Sequence, residues 1–216
     1  MAKAGGLVKA ETPMKIEHLF TMTGGMSLTV SGEELEEGRR ASGGKCSTVA
    51  MMDYLAKIPL AFEPGESWRY SLCHDVLAAI VEVVSGKRFG LFAKERIFDP
   101  LGMRSSTFLL PEKELGKVCA QYRYFEDRGY VNVGKEIQDF KFGSESESGG
   151  AGLVRTVEDY IQFLEGLRLG KILNTENILT SKNSGLNAGF IEAVKLDLGL
   201  DGDESAVWRG DGSHLA

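Results

Sequence analysis

Tyr70 sits in the run Trp68-Arg69-Tyr70-Ser71-Leu72, directly before a long apolar segment, and its position invites chemistry more than that of any other side chain. Pro64-Gly65 breaks the chain ahead of it. Behind it, Val76-Leu77-Ala78-Ala79-Ile80-Val81-Glu82-Val83-Val84 has one charged position, the mark of a helix buried in a core. The tyrosine is therefore expected where a short extended segment meets the start of a central helix. A phenol with an ordinary pKa of about 10 can pass a proton at neutral pH only if a nearby cation lowers it. Other chemistries find less support. His18, His74 and His214 have no short ligand spacing, so no metal site is expected. Gly149-Gly150-Ala151-Gly152 lacks the spacing and the lysine of a phosphate-binding loop and reads as a turn that lets backbone approach closely. No cofactor is expected.

The elements that must position Tyr70 follow from periodicity and punctuation. Ile16 to Gly25 reads as a short helix ending in a glycine turn. Glu33-Glu34-Leu35-Glu36-Glu37 with Arg39-Arg40 reads as a solvated helix surface. Ser47 is placed as the cap of a helix with Val49, Met52, Leu55 and Ile58 on one face, stopped by Pro59. Asp75 serves the central helix as N-cap or first-turn acid, Gly86 stops it, and a second helical segment closes at Asp99-Pro100-Leu101-Gly102-Met103. Pro111 to Leu115 suggests one or two helical turns, and Val118 to Val133 a β-hairpin around Asp127-Arg128-Gly129. Thr156 and Asp159 form a capping box for a helix with Val157, Tyr160, Ile161, Leu164 and Leu167 as its apolar face.

Composition bounds the rest. With 216 residues the chain can bury one sizeable core. A formal charge of -6 argues against a nucleic-acid surface. Cys46, Cys73 and Cys119 form no C-x-x-C pair and are expected as free, buried thiols of a reducing compartment. With no long apolar run and no secretion-signal pattern, the chain reads as cytoplasmic and without a membrane partner.

Several blocks together resemble the serine β-lactamase-like family, which includes class C β-lactamases, D-alanyl-D-alanine peptidases and related esterases. They are Glu63-Pro64-Gly65 with Trp68-Arg69-Tyr70-Ser71-Leu72, the helix from Asp75 to Gly86, and Ile97-Phe98-Asp99-Pro100-Leu101-Gly102-Met103. Ile16-Glu17-His18-Leu19-Phe20-Thr21-Met22-Thr23-Gly24-Gly25 is similar to the family's preceding segment. Ser148-Gly149-Gly150-Ala151-Gly152-Leu153 with Thr156 to Tyr160 is similar to its following loop and helix. The resemblance spans Leu7 to Ile178.

The resemblance implies a seryl acyl-enzyme mechanism acting on small esters, amides or β-lactams. A Ser-x-x-Lys pair at a helix start supplies the nucleophile, a tyrosine relays a proton, and a late strand helps bind the substrate. Tyr70 matches the tyrosine motif as proton relay. Leu72 stands where the lactamase pattern has Asn, which is closer to the esterase branch. The family's Ser-x-x-Lys is expected before Ile16. One string here fits it, Ser42-Gly43-Gly44-Lys45, which lies after Gly25, and its two glycines disfavour a helix by about 2 kcal/mol relative to alanine. Ser42 and Lys45 are carried forward as the candidate nucleophile pair, and Ser148, Gly149 and Gly150 as a candidate edge of the substrate site.

The implied fold is α+β and mainly helical, a β-lactamase/transpeptidase-like domain lacking much of its N- and C-terminal sheet strands. Residues 1–180 would form its central part and 181–216 an irregular tail. The functional expectation is an incomplete serine hydrolase. The alternative is a catalytically inert truncated or helical interaction module on the same scaffold, with exposed apolar surface favouring self-association.

Overall fold

The Tyr70-bearing segment runs straight into α4 (Cys73–Ser85), thirteen residues long, and three other helices pack against it. This computed structural model describes residues 2–3, 6–26, 32–134 and 142–172. All of them lie in the unit Met1–Ser181. In chain order the elements are β1 (Ala2–Lys3), β2 (Gly6–Leu7), α1 (Ile16–Phe20), α2 (Glu33–Ala41), α3 (Thr48–Leu55), α4, α5 (Phe89–Ala93), α6 (Asp99–Leu101), β3 (Gln121–Phe125), β4 (Gly129–Gly134) and α7 (Val157–Arg168). A π turn, Lys94–Phe98, joins α5 to α6, and a 3-10 helix, Glu112–Lys117, precedes β3. Pro100 cannot donate to the preceding turn and its ring crowds the carbonyl there, so a widened turn just before it relieves both conflicts.

Helices dominate the described residues. The strands form two separate antiparallel pairs, β1 with β2 and β3 with β4. The second is the predicted hairpin, with Tyr124 opposite Tyr130 and Gly129 in the left-handed region at φ 68°. No helix among the described residues is long and apolar enough to cross a membrane. The expected tail, 181–216, lies outside the described residues.

Three apolar clusters hold these elements together. Leu35, Cys46, Met51, Leu55, Leu72 and Phe142 join α2, α3 and the start of α4. Leu19, Met22 and Cys73 join α1 to α4, with Trp68 and Ile80 packed alongside. Ala93, Phe98, Leu101, Met103 and Phe108 form the third, against which Phe163 of α7 rests.

Four expectations need correction. The central helix is buried only over its first turns, at Cys73, Asp75, Ala78 and Ala79, whereas Val83 and Val84 are 69% and 81% exposed. On α3 the buried positions are Thr48, Met51 and Leu55, so the inward face is rotated by one residue from the Val49 stripe. On α7 the deeply buried residues are Asp159 and Gly166, while Val157, Ile161 and Leu164 of the expected core face point outward. Cys119 is exposed, not buried.

Candidate functional site

Tyr70 is held by its backbone neighbours on both sides. The Arg69 amide donates to Met22 O at 3.0 Å, and Met22 itself sits at φ 57° in the turn that ends α1. Ser71 is buried, and its hydroxyl lies 3.0 Å from Cys73 Sγ. Leu72 is the N-cap of α4, and its carbonyl accepts from the Asp75 and Val76 amides. Between these fixed points the Tyr70 side chain is 56% exposed and makes no hydrogen bond within the described residues. The phenol is thus presented outward from a fixed segment at the start of α4, the position the sequence places it in.

Asp75 lies in the first turn of α4 and is buried; it is the first-turn acid of the two roles the sequence allowed, while Leu72 is the N-cap. Its carboxylate accepts from Ser148 Oγ at 2.5 Å and from the Gly150 amide. Burial pushes the Asp75 carboxyl above its ordinary value, and the Ser148 hydroxyl, the Gly150 amide and His74 pull it part of the way back. The glycines of the loop are required by the approach. A Cβ at Gly149 would lie 2.3 Å from His74 O, and one at Gly150 would lie 3.1 Å from Asp75 Oδ2. Ser148 also accepts from the Ala151 amide, so its hydroxyl is fully used inside the fold. The loop predicted as a substrate edge is therefore docked on the first turn of the helix that follows Tyr70.

The same loop is tied down elsewhere. The Ser144 and Glu145 amides donate to Gly44 O and Lys45 O. Thr48 Oγ1 and the Glu147 backbone exchange hydrogen bonds. The buried Glu147 carboxylate takes the Gly90 amide at 2.7 Å and faces Arg88 Nη2 at 3.5 Å.

Ser42 and Lys45 are placed differently from a helix-start pair. Ser42 is the C-cap of α2, and Gly43 and Gly44 follow in the left-handed region at φ 60° and 83°. Its hydroxyl contacts Gly38 O at 2.8 Å and Arg39 O at 3.1 Å and accepts from the Cys46 amide. The Lys45 ammonium lies 3.9 Å from Glu145 Oε1, and no hydrogen bond links it to Ser42 Oγ. A helix C-terminus carries the negative end of the dipole, which opposes an oxyanion. Burial raises the Cys46 and Cys73 thiols above their ordinary values, which disfavours their thiolate forms.

A family model described as Beta-lactamase matches residues 6–210. The chain belongs to the β-lactamase family. The match runs past Ile178, where the resemblance read from the sequence ends. The esterase EstB of Burkholderia gladioli is 33% identical over 128 residues, covering 53% of this chain and 32% of EstB. Among solved structures, EstCE1, described as a hydrolase with promiscuous acyltransferase activity, superposes with a TM-score of 0.56 at 26% identity, over 80% of this chain and 50% of that one. A LovD simvastatin synthase variant from Aspergillus terreus superposes with a TM-score of 0.59 at 25% identity, over 81% and 43%. The chain thus spans about a third of EstB and half or less of the two solved structures. Its fold is that of the β-lactamase family, α+β and mostly helical.

Sequence reasoning gives Asp75 and Asp159 only local capping roles and misses Glu147, so it shows none of the three as an anchor of a distant loop. Asp75 is the one acid in the first turn of an apolar helix, and that isolation was the available signal. Glu147 lies in an alternating Ser-Glu run that reads as a solvated loop, so nothing local marks it as buried.

Proposed function

We propose that this chain forms the tyrosine-bearing part of a serine hydrolase site, acting on a small ester or amide through a seryl acyl-enzyme. One observation carries this assignment. Tyr70 is exposed on a turn fixed by Met22 and by α4, and the Ser148–Gly152 loop docks on that same helix start. The phenol relays a proton between the seryl oxygen and the leaving group, and the backbone of Gly149 and Gly150 borders the bound acyl group. Family membership and the esterase and acyltransferase relatives support an ester as substrate. Ser42 is not assigned as nucleophile, because its hydroxyl is engaged at the wrong end of α2.

The test is intact-mass spectrometry of the protein, expressed from its complete reading frame, after exposure to a fluorophosphonate and separately to a penicillin. The expected result is one fluorophosphonate adduct per chain, retained in Ser42→Ala and formed at least about 100-fold more slowly in Tyr70→Phe. Absence of an adduct, its loss in Ser42→Ala, or an unchanged rate in Tyr70→Phe would overturn the assignment. A second function, that of an inert scaffold that binds other proteins, is favoured by the exposure of Val83, Val84, Val157 and Ile161. It predicts no adduct together with concentration-dependent association.

A further inference from the structure

We propose that Asp75 and Ser148 are positioning residues that act through Tyr70, coupling the loop at the edge of the substrate site to the turn that presents the phenol. The proposal rests on Tyr70 being the proton relay.

The Tyr70 side chain has no hydrogen bond of its own among the described residues, so its position is set by the backbone around it. On its N-terminal side that backbone is held through the Arg69 amide to Met22 O. On its C-terminal side it continues into Leu72, whose carbonyl accepts the Asp75 amide. Asp75 is buried, and its carboxylate is occupied by the Ser148 hydroxyl and the Gly150 amide. Ser148 is itself buried, so its hydroxyl is turned away from any substrate and toward the helix. Gly149 lies against His74 O with no room for a Cβ, which leaves the loop one seating on the helix turn. A shift of the loop therefore moves the first turn of α4, and with it the C-terminal side of the Tyr70 turn. A proton relay works only within hydrogen-bond reach of the reacting oxygen, so sub-ångström control of that turn bears directly on rate.

A positioning role and a purely structural one separate in a double-mutant design. Ester hydrolysis is measured in the wild type, Ser148→Ala, Tyr70→Phe and the double variant. In the wild-type background Ser148→Ala is expected to lower kcat at least tenfold, with KM changed less than threefold. In the Tyr70→Phe background the same substitution is expected to have no further effect. An equal loss in both backgrounds would overturn the proposal, because Ser148 would then act independently of the phenol. Activity unchanged in Tyr70→Phe would instead overturn the relay assignment, and a second readout then decides the positioning claim. That readout is the 13Cζ resonance of Tyr70, assigned by its disappearance in Tyr70→Phe, in chains labelled at tyrosine. Asp75→Asn and Ser148→Ala should each shift it while Tyr124 and Tyr130 in the hairpin stay fixed. A Tyr70 resonance unmoved in a folded Asp75→Asn variant contradicts the proposal. Asp75→Asn keeps an acceptor for Ser148 but puts an amide NH2, which cannot accept from the Gly150 amide, in place of the second carboxylate oxygen, and so disturbs the loop where Ser148→Ala does not fold.

Discussion

The Gly90 amide donates to Glu147 Oε2 at 2.7 Å, joining the start of α5 to a loop far along the chain. Arg88 Nη2 stands 3.5 Å from the other carboxylate oxygen, and the Glu147 side chain is 7% exposed. A buried carboxylate here is tolerated because an amide and a guanidinium both meet it. Removing the charge leaves those donors without a full partner. Glu147→Gln should therefore cost about 1–2 kcal/mol and Glu147→Ala about 2–3 kcal/mol in urea denaturation. A change below about 0.5 kcal/mol in both would show that the contact does not hold the loop.

Gly149 gives a steric test of the same loop. A methyl group there would lie 2.3 Å from His74 O and 2.9 Å from the Ala78 Cβ, both on a packed helix. Gly149→Ala should cost about 3 kcal/mol, whereas Gly116→Ala, where a Cβ meets nothing, should cost much less. Equal melting curves for the two variants would mean that the loop does not seat on α4.

Asp75 makes stability depend on pH with a definite sign. Its carboxyl is raised above the ordinary value chiefly by burial, so the folded chain holds that proton more tightly than the unfolded chain. The group's contribution is therefore full below pH of about 4 and is lost as pH rises through the raised folded value. The stability difference between wild type and Asp75→Asn should fall as pH rises above that point. A difference that is flat or grows with pH from acid to neutral would contradict the burial argument.

The two faces of α7 allow a direct comparison. Ile161 is 52% exposed, so Ile161→Gln should change stability by no more than about 0.5 kcal/mol. Gly166 packs on Leu101, where a Cβ would lie 2.4 Å from a methyl carbon, and Gly166→Ala should cost about 1–3 kcal/mol. The reverse order, measured by urea denaturation, would restore the core face expected from the sequence.

These contrasts show which parts of the molecule are legible in its sequence. The position of Tyr70, α4 with its stop at Gly86 (φ 66°), the Ser47 cap and the β3–β4 hairpin all follow from local patterns, because capping and turn chemistry act over a few residues. Orientation is harder. On α7 the apolar residues lie at helical spacing, yet the face that packs is the one with a small residue, Gly166, and with Asp159, which accepts from the Ser105 amide and the Ser106 hydroxyl. The predicted capping box is therefore half formed: Thr156 takes the Asp159 amide, but the Asp159 carboxylate serves a distant loop. The Ser148–Asp75 contact is equally hidden, since its partners lie 73 residues apart. Ser42-Gly43-Gly44-Lys45 satisfies a spacing rule, but its glycines build a helix stop.

The most direct test of the central claim is steady-state hydrolysis of a short-chain p-nitrophenyl ester by the protein expressed from its complete reading frame, as wild type and as Tyr70→Phe. Because the Tyr70 side chain is more than half exposed and accepts or donates no hydrogen bond among the described residues, the substitution should leave the melting temperature unchanged. If the phenol relays the proton, kcat should fall about 10²–10⁴-fold. A Tyr70→Phe variant that is folded and hydrolyses the ester at the wild-type rate would contradict it.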